Sequence, residues 1–135
     1  NGAFMLTVHY ETSTHLHRTI QYIKANGMKA GIALNPHSPV SLLDEILPYA
    51  DMILIMSVNP GFAAQEFIPT TFQKIRKLDE IRRENGFSFK IEVDGGVTLQ
   101  NAPDLVEAGV DVLVAGNTVF SSDTPEEVIR KLKKF

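Results

Sequence analysis

Five apolar stretches rich in β-branched residues alternate with segments of helical periodicity, and this alternation constrains the fold of the chain more than any other feature. Their nearly continuous apolarity predicts burial on both faces, which is typical of strands in a parallel sheet. Because a helical pattern follows every strand, right-handed crossovers and a single α/β sheet are expected. The predicted strands are "AFMLTVHYE" (3–11), "KAGIALN" (29–35), "DMILIMSV" (51–58), "FKIEVD" (89–94) and "VDVLVAG" (110–116).

The segments between the strands carry residues that favour helix ends. Thr12 or Ser13 is expected to cap the first helix, and a short second helix with apolar residues at 42, 43, 46 and 47 is expected to end at Pro48. The other signals are Asn26-Gly27 after the first helix, Asn85-Gly86 after the third, Gly109 after the fourth, and a capping box of Thr124, Pro125 and Glu127 at the start of a fifth.

Two architectures fit five such units in one domain over residues 1–135. One is a complete open sheet of the flavodoxin type, which the length of 135 residues favours. The other is part of a (β/α)₈ barrel, since a whole barrel takes about 200 to 250 residues. In both, ligands bind at the carboxyl ends of the strands, so the residues that follow each apolar run are the informative ones.

Composition excludes several classes of function. The chain is 44% hydrophobic and 21% charged, which is ordinary for a soluble domain, and no apolar run is long enough for a membrane span. With 13 basic and 16 acidic residues the net charge is −3, so a nucleic-acid partner is not expected. The absence of cysteine removes disulfides and thiolate metal sites and fits a cytoplasmic protein.

Small residues follow three successive strands, where a phosphate group could be bound. Gly95-Gly96 follows the fourth strand, Gly116-Asn117 follows the fifth, and "NPGFAA" follows the third. Small side chains let backbone N–H groups approach phosphate oxygens closely. A tight turn explains a single glycine after a strand. Small residues after three successive strands instead favour one shared anion-binding site.

Asp94 is the outstanding ionisable residue, because it ends a strand expected to be buried. From the residues alone it either caps the following turn or takes part in chemistry, and both interpretations stay open. Glu92 lies two residues earlier and is expected on the same side of the strand.

The four histidines indicate no metal site. His15 and His17 are two apart in a helical segment and are expected at the surface, and His37 is expected in a solvated loop. His9 and Glu11 are expected to share one face of the first strand. A binding role stays open for them, and a hydrogen-bonded core residue is the favoured interpretation of His9.

Together these motifs resemble a known family. "TVHYE", "MKAGIALNP", "DMILIMSVNPGFAAQEFIP", "KIEVDGGV" and "DVLVAGNTVF", in this order, resemble the second part of the ribulose-phosphate 3-epimerases, (β/α)₈ enzymes of the pentose phosphate pathway. The resemblance implies a partial TIM barrel of the ribulose-phosphate-binding type, made of its five C-terminal β-α units. About three N-terminal units would be missing, and with them a substrate-binding Ser, the other catalytic Asp and two His metal ligands.

The resemblance also implies an activity and a site. D-Ribulose 5-phosphate and D-xylulose 5-phosphate would be interconverted by proton transfer at C3, with two acid/base groups and one divalent metal ion of the Zn, Fe, Mn or Co class. Asp94 would be one acid/base and a metal ligand, and Met56 would pack beside the metal. Where the family has Gly-Phe-Gly-Gly, this chain has "GFAA". The implied phosphate-binding residues are Gly61, Phe62, Ala63, Ala64, Gly95, Gly96, Gly116 and Asn117.

Because the resemblance implies that this chain carries only part of the active site, other functions stay open. The chain by itself is expected to lack activity and to associate, as a homo-oligomer or with another chain, through exposed strand edges. A non-catalytic phosphate-binding half-barrel and a related allulose 6-phosphate 3-epimerase are the alternatives. A five-stranded receiver or flavin module is disfavoured, because no acidic cluster follows the first strand and no Lys follows the last.

Overall fold

A computed structural model describes residues 5–12, 14–57 and 68–114, which form a five-stranded parallel sheet with helices between the strands. The order in the sheet follows the chain without reversal. The flavodoxin-type alternative, which needs the order 2-1-3-4-5, is therefore wrong, whereas the α/β class and all five strands are confirmed. The strands are β1 (Met5–His9), β2 (Lys29–Leu34), β3 (Met52–Met56), β4 (Lys90–Asp94) and β5 (Val112–Val114).

Three α-helices connect these strands: α1 (Leu16–Ala25), α2 (Thr71–Asn85) and α3 (Ala102–Ala108). The predicted stop after α2 is confirmed, because Gly86 has a φ of 69°, a left-handed conformation that favours glycine. The expected cap of α1 is wrong: Thr12 lies in a 3₁₀ turn and His15 precedes the helix. No helix in the described ranges is long and apolar enough to cross a membrane. The predicted fifth helix and Ser13 lie outside the described residues.

The predicted second helix is wrong, because two 3₁₀ helices, Val40–Leu43 and Leu47–Tyr49, take its place. Val40, Leu43 and Ile46 are buried whereas Leu42 is exposed. Apolar residues three apart line one side of a 3₁₀ helix, which has three residues per turn. Pro48, which has no N–H to donate, lies in the first turn of the second 3₁₀ helix.

The two faces of the sheet differ in what covers them. One face packs under the three helices, and its strand residues, such as Ile32, Ile53 and Ile91, are fully buried in the core. The opposite face has no helix over it among the described elements. Its side chains on β3, β4 and β5 are half-buried or exposed, whereas Ala33 of β2 is fully buried. The expectation of burial on both faces is therefore confirmed for β2 but wrong for β3, β4 and β5. We call this second side the open face; its central residues are Met52, Leu54, Met56, Glu92, Asp94 and Val112.

The first strand is shorter than expected, which changes the placement of two polar residues. β1 ends at His9, and Glu11 lies in the following 3₁₀ helix, Tyr10–Thr12. His9 is exposed, so its assignment as a core residue is wrong. The reason is that β1 pairs with β2 alone among the described strands and has no helix over the side on which His9 lies. His15, His17 and His37 are exposed as expected.

Candidate active site

Asp94 is the last residue of β4 and lies half-buried on the open face. In the sheet it pairs with Met56 of β3 on one side and Val114 of β5 on the other. Its backbone carbonyl accepts two hydrogen bonds, both 2.9 Å long, from the N–H and the hydroxyl of Ser57. No described residue donates a hydrogen bond to its carboxylate, so the carboxylate does not serve as the cap of the following turn within this part of the structure.

Ser57 holds the exits of two neighbouring strands together. It follows β3, is fully buried, and shares its one hydroxyl proton between the carbonyls of Asp94 and Gly95. Its own carbonyl accepts a hydrogen bond of 2.8 Å from the N–H of Ile68. Because one side chain bonds the backbone of both Asp94 and Gly95, it fixes where β4 ends relative to β3. Sequence analysis missed this residue, although a serine directly after an apolar strand is a signal for a buried hydrogen-bonding role.

The turn after Asp94 is made by two glycines with positive φ. Gly95 has a φ of 115° and Gly96 one of 71°, which L side chains rarely adopt. Asn101 holds the turn by donating its amide to the Gly96 carbonyl at 2.9 Å. Thr98 and Asn101 also exchange side-chain to backbone hydrogen bonds of 2.8 and 3.1 Å. No described group accepts a hydrogen bond from the N–H of Gly95 or Gly96, which leaves these donors for a ligand as far as the described chain is concerned.

Glu92 lies two residues before Asp94 in β4 and on the same open face, as their spacing predicts. Its neighbours across the sheet are Leu54 and Val112, both apolar. Desolvation raises the pKa of the Glu92 carboxyl, and the negative charge of Asp94 raises it further. The site therefore holds two carboxylates close enough to influence each other.

The described residues do not by themselves form a metal centre. No group of three His, Cys, Asp or Glu side chains within ranges 5–12, 14–57 and 68–114 is placed to hold an ion. The Asp94 carboxylate has oxygen atoms that can bind a divalent cation. The other ligands of a complete site would have to come from outside the described residues. Met56 lies beside Asp94 in the sheet, and its role next to a metal stays a prediction.

The remaining sequence-based assignments lie outside the described residues. This part of the chain brings together Asp94, Gly95, Gly96 and Met56 at neighbouring strand ends. The assigned residues that fall outside it, and that stay predictions, are Gly61, Phe62, Ala63, Ala64, Gly116 and Asn117.

A second polar cluster lies at the same end of the sheet, beyond β1 and β2. Glu11 Oε2 accepts hydrogen bonds from the N–H of Asn35 at 3.0 Å and from the hydroxyl of Ser38 at 2.5 Å. Lys74, in the first turn of α2, donates to the Asn35 carbonyl at 3.1 Å and to the carbonyl of Pro36. These bonds tie the exit of β1, the loop after β2 and the start of α2 into one unit, which the sequence analysis did not anticipate.

Ionisation in this cluster follows from its hydrogen bonds. Desolvation acts to raise the pKa of the Glu11 carboxyl, but the hydrogen bonds from Ser38 and Asn35 outweigh it and leave this pKa below its ordinary value. Desolvation lowers the pKa of the Lys74 ammonium, and the charge of Glu11 opposes that change. Glu11 is therefore ionised at neutral pH and stabilises the folded state in that form.

Replacing Glu11 by Gln is expected to lower the free energy of unfolding by about 1 kcal/mol at pH 7, since an ionised acceptor at an exposed position becomes neutral. A carboxyl whose pKa is lower in the folded state stabilises the fold above its unfolded pKa and loses this effect as the pH falls through the folded pKa. The difference between wild type and variant should therefore be smaller at pH 3 than at pH 7. Urea denaturation at the two pH values measures it, with Glu107→Gln on the exposed side of α3 as the control. Equal stabilities at pH 7 would contradict the role given to Glu11.

The fold and the strand-end carboxylate define an α/β protein of the barrel type with its polar site at the carboxyl ends of the strands. Residues 1–120 match the model of the ribulose-phosphate 3 epimerase family. The chain belongs to this family.

Individual relatives agree with the family match. Ribulose-phosphate 3-epimerase from Escherichia coli strain K12 is 45% identical over 132 residues, which are 98% of this chain and 59% of the relative. The protein of the same name from Bacillus subtilis strain 168 is 44% identical over 133 residues, 98% of this chain and 61% of the relative. The chain thus spans about three fifths of the length of the curated relatives that it matches.

A solved structure shares the fold. The crystal structure of a 3-hexulose-6-phosphate synthase superposes with a TM-score of 0.70 at 18% identity, covering 98% of this chain and 62% of that one. At this identity the likeness concerns the fold.

Proposed function

We propose that this chain carries one half of a ribulose-phosphate 3-epimerase active site, which interconverts D-ribulose 5-phosphate and D-xylulose 5-phosphate. The observation that carries the proposal is the placement of Asp94: in a chain 45% identical to named epimerases, it stands half-buried at the end of β4, and no described donor occupies its carboxylate. A carboxylate in that position is available to a substrate above the strand ends.

The chemistry needs two acid/base groups on opposite sides of the sugar. One removes the proton at C3, which the neighbouring ketone makes acidic, and the other returns a proton to C3 from the opposite side. Asp94 is proposed as one of these two groups, taking the C3 proton in one direction of the reaction and giving a proton to C3 in the other. The second group would come from the roughly two fifths of the relatives' length that this chain does not span, so the chain alone would not turn over substrate.

The phosphate of the substrate is proposed to bind at the turn of Gly95 and Gly96. Two observations support this assignment: both glycines have positive φ angles, and Ser57 and Asn101 donate hydrogen bonds to their carbonyls. A turn fixed in this way presents its N–H groups to a ligand without reorganisation. The other proposed contacts, 61–64 and 116–117, lie outside the described residues.

A divalent ion of the Zn, Fe, Mn or Co class belongs to the same proposal. Asp94 would supply one of its ligands, and the others would come from residues beyond those described. We also propose a cytoplasmic location, which the absence of cysteine supports.

An isotope experiment tests the proposed reaction. The chain is joined to the part of the E. coli relative that lies outside the match, and this joined protein is given D-ribulose 5-phosphate in D₂O. We expect D-xylulose 5-phosphate with deuterium at C3, read by NMR. Conversion that leaves the C3 hydrogen in place would contradict proton transfer at that carbon. A higher kcat/KM with D-allulose 6-phosphate would favour the related epimerase instead.

A non-catalytic phosphate-binding half-barrel is the second candidate for the isolated chain. No group of three potential metal ligands lies among the described residues, and this observation favours the non-catalytic candidate. Binding of D-ribulose 5-phosphate by the 135-residue chain, measured by calorimetry, together with a joined protein that converts none of it, would support that candidate.

A further inference from the structure

The turn of Gly95 and Gly96 has no side chains of its own to fix its shape. Both residues have a positive φ, and two successive glycines have access to more backbone conformations than other residues. Such a turn keeps its N–H groups in one direction only when other residues restrain its peptide units. The hydrogen bonds that its carbonyls accept therefore decide where its N–H groups point.

Ser57 restrains two successive peptide units of this turn. One unit contains the Asp94 carbonyl and the Gly95 N–H, and the next contains the Gly95 carbonyl and the Gly96 N–H. The hydroxyl of Ser57 lies within hydrogen-bonding distance of both carbonyls. In a trans peptide unit the C=O and the N–H point in opposite directions, so both N–H groups are directed away from Ser57.

The two peptide units depend on the hydroxyl to different degrees. The Asp94 carbonyl also accepts a hydrogen bond of 2.9 Å from the backbone N–H of Ser57. The described hydrogen bond to the Gly95 carbonyl comes from the hydroxyl. Loss of the hydroxyl would therefore leave Asp94 held in the sheet, whereas the unit that carries the Gly96 N–H would be released.

Ser57 is itself held firmly enough to restrain its neighbours. Its side chain is fully buried, and its N–H is bonded to the Asp94 carbonyl. Its carbonyl accepts a hydrogen bond of 2.8 Å from the N–H of Ile68. A buried residue whose backbone is bonded on both sides keeps its hydroxyl in one place, as a group that orients a binding site must.

We propose that Ser57 is a positioning residue for the phosphate of the substrate. Its hydroxyl orients the Gly96 N–H toward the phosphate and takes no part in the proton transfer at Asp94. A donor that is oriented before the ligand arrives binds it at a smaller entropic cost, so the hydroxyl contributes to phosphate affinity. The proposal rests on the proposed function, since it takes the turn of Gly95 and Gly96 as the phosphate site.

Ser57→Ala in the joined protein separates phosphate binding from catalysis. The variant lacks the hydroxyl but keeps the backbone N–H that holds Asp94. We expect KM for D-ribulose 5-phosphate to rise about tenfold and kcat to stay within about twofold, because substrate and transition state lose the same contact. The Kd of inorganic phosphate, measured by calorimetry, should rise by a similar factor.

Ser38→Ala controls for the loss of a buried serine hydroxyl. Ser38 is 6% exposed, lies in the loop after β2, and donates its hydroxyl to Glu11 at 2.5 Å. It makes no described hydrogen bond to the turn of Gly95 and Gly96, so KM and the Kd of phosphate should stay at the wild-type values. Thermal melts establish that each variant folds.

Ser57→Cys provides a second variant that disturbs the packing less. A thiol occupies nearly the same place as the hydroxyl but is a weaker hydrogen-bond donor. The Kd of inorganic phosphate is expected to lie between those of the wild type and Ser57→Ala, again with kcat within about twofold of the wild type. If Ser57→Ala does not fold, a wild-type Kd in Ser57→Cys would overturn the proposal.

The kinetic pattern decides between this role and the others that Ser57 could have. An unchanged phosphate Kd in Ser57→Ala would overturn the proposal, and so would an equal rise in Ser38→Ala, which indicates a general loss of structure. A fall in kcat with an unchanged KM would also overturn it, because the hydroxyl would then act through Asp94.

Failure of this proposal can be told apart from failure of the proposed function. A joined protein whose phosphate affinity depends on Ser57, but which transfers no proton at C3, would support the role of Ser57 and contradict the proposed reaction. A joined protein that converts D-ribulose 5-phosphate equally well with Ser57 or with Ala at this position would do the reverse.

Discussion

Asp94→Asn in the joined protein is expected to lower kcat by about a thousandfold, within the range of 10² to 10⁴ that a positioned acid/base group contributes. The amide keeps the size and the backbone bonds to Ser57 but neither accepts nor returns the C3 proton. The substitution also removes a charged metal ligand from the proposed site. The rate of D-xylulose 5-phosphate formation measures the effect.

The matched control is Asp104→Asn. Asp104 is an exposed aspartate in the first turn of α3, away from the open face, so its loss should leave kcat within about twofold. Thermal melts of both variants establish that the fold is retained. Near-normal turnover of Asp94→Asn would show that Asp94 is not one of the acid/base groups.

Arg82→Ala is expected to lower the free energy of unfolding by about 3 kcal/mol. The Arg82 guanidinium donates to the carboxylates of Asp79 at 2.8 Å and Asp111 at 2.7 Å. It also donates to the carbonyls of Phe89 at 2.9 Å and Gly109 at 3.1 Å. Its side chain is only 16% exposed, so the groups left without a partner would stay partly desolvated.

Arg83→Ala is the matched control for this effect. Arg83 also pairs with Asp79, at 3.1 Å, but its side chain is 74% exposed. An exposed ion pair contributes at most about 1 kcal/mol, and many contribute less. Urea denaturation compares the two variants. Equal losses of stability would mean that burial does not decide the strength of this network.

The strands could be predicted because their signals are local. Runs of β-branched residues bounded by turn residues marked all five strands, and glycine at 86 and 109 marked two helix ends. The 3₁₀ helices at 40–43 and 47–49 were missed because spacings of three and four residues are hard to tell apart over so short a segment.

The covering of the sheet could not be predicted in the same way. Apolarity on both faces was read as burial of both, yet Met52, Leu54 and Met56 stay half-exposed in the described structure. Sequence pattern records which side chains favour burial. It does not record whether the segment that buries them belongs to the same stretch of chain.

Part of the candidate site followed from spacing, and part did not. Asp94 and Glu92 share a face because they are two residues apart in a strand. The bond from Ser57 to Asp94 joins residues 37 apart, and that from Lys74 to Pro36 joins residues 38 apart. Such contacts depend on the packing of whole units. The exchange between Thr98 and Asn101 is local, and its three-residue spacing was a usable signal.

The most direct test of the central claim, that this chain holds one half of a two-base site, is the turnover of the 135-residue chain alone beside that of the joined protein. Both are assayed at equal concentration with D-ribulose 5-phosphate and added divalent metal. We expect D-xylulose 5-phosphate from the joined protein and none above background from the chain alone. Conversion by the chain alone at a comparable rate would contradict the claim, because both acid/base groups would then have to lie within these 135 residues.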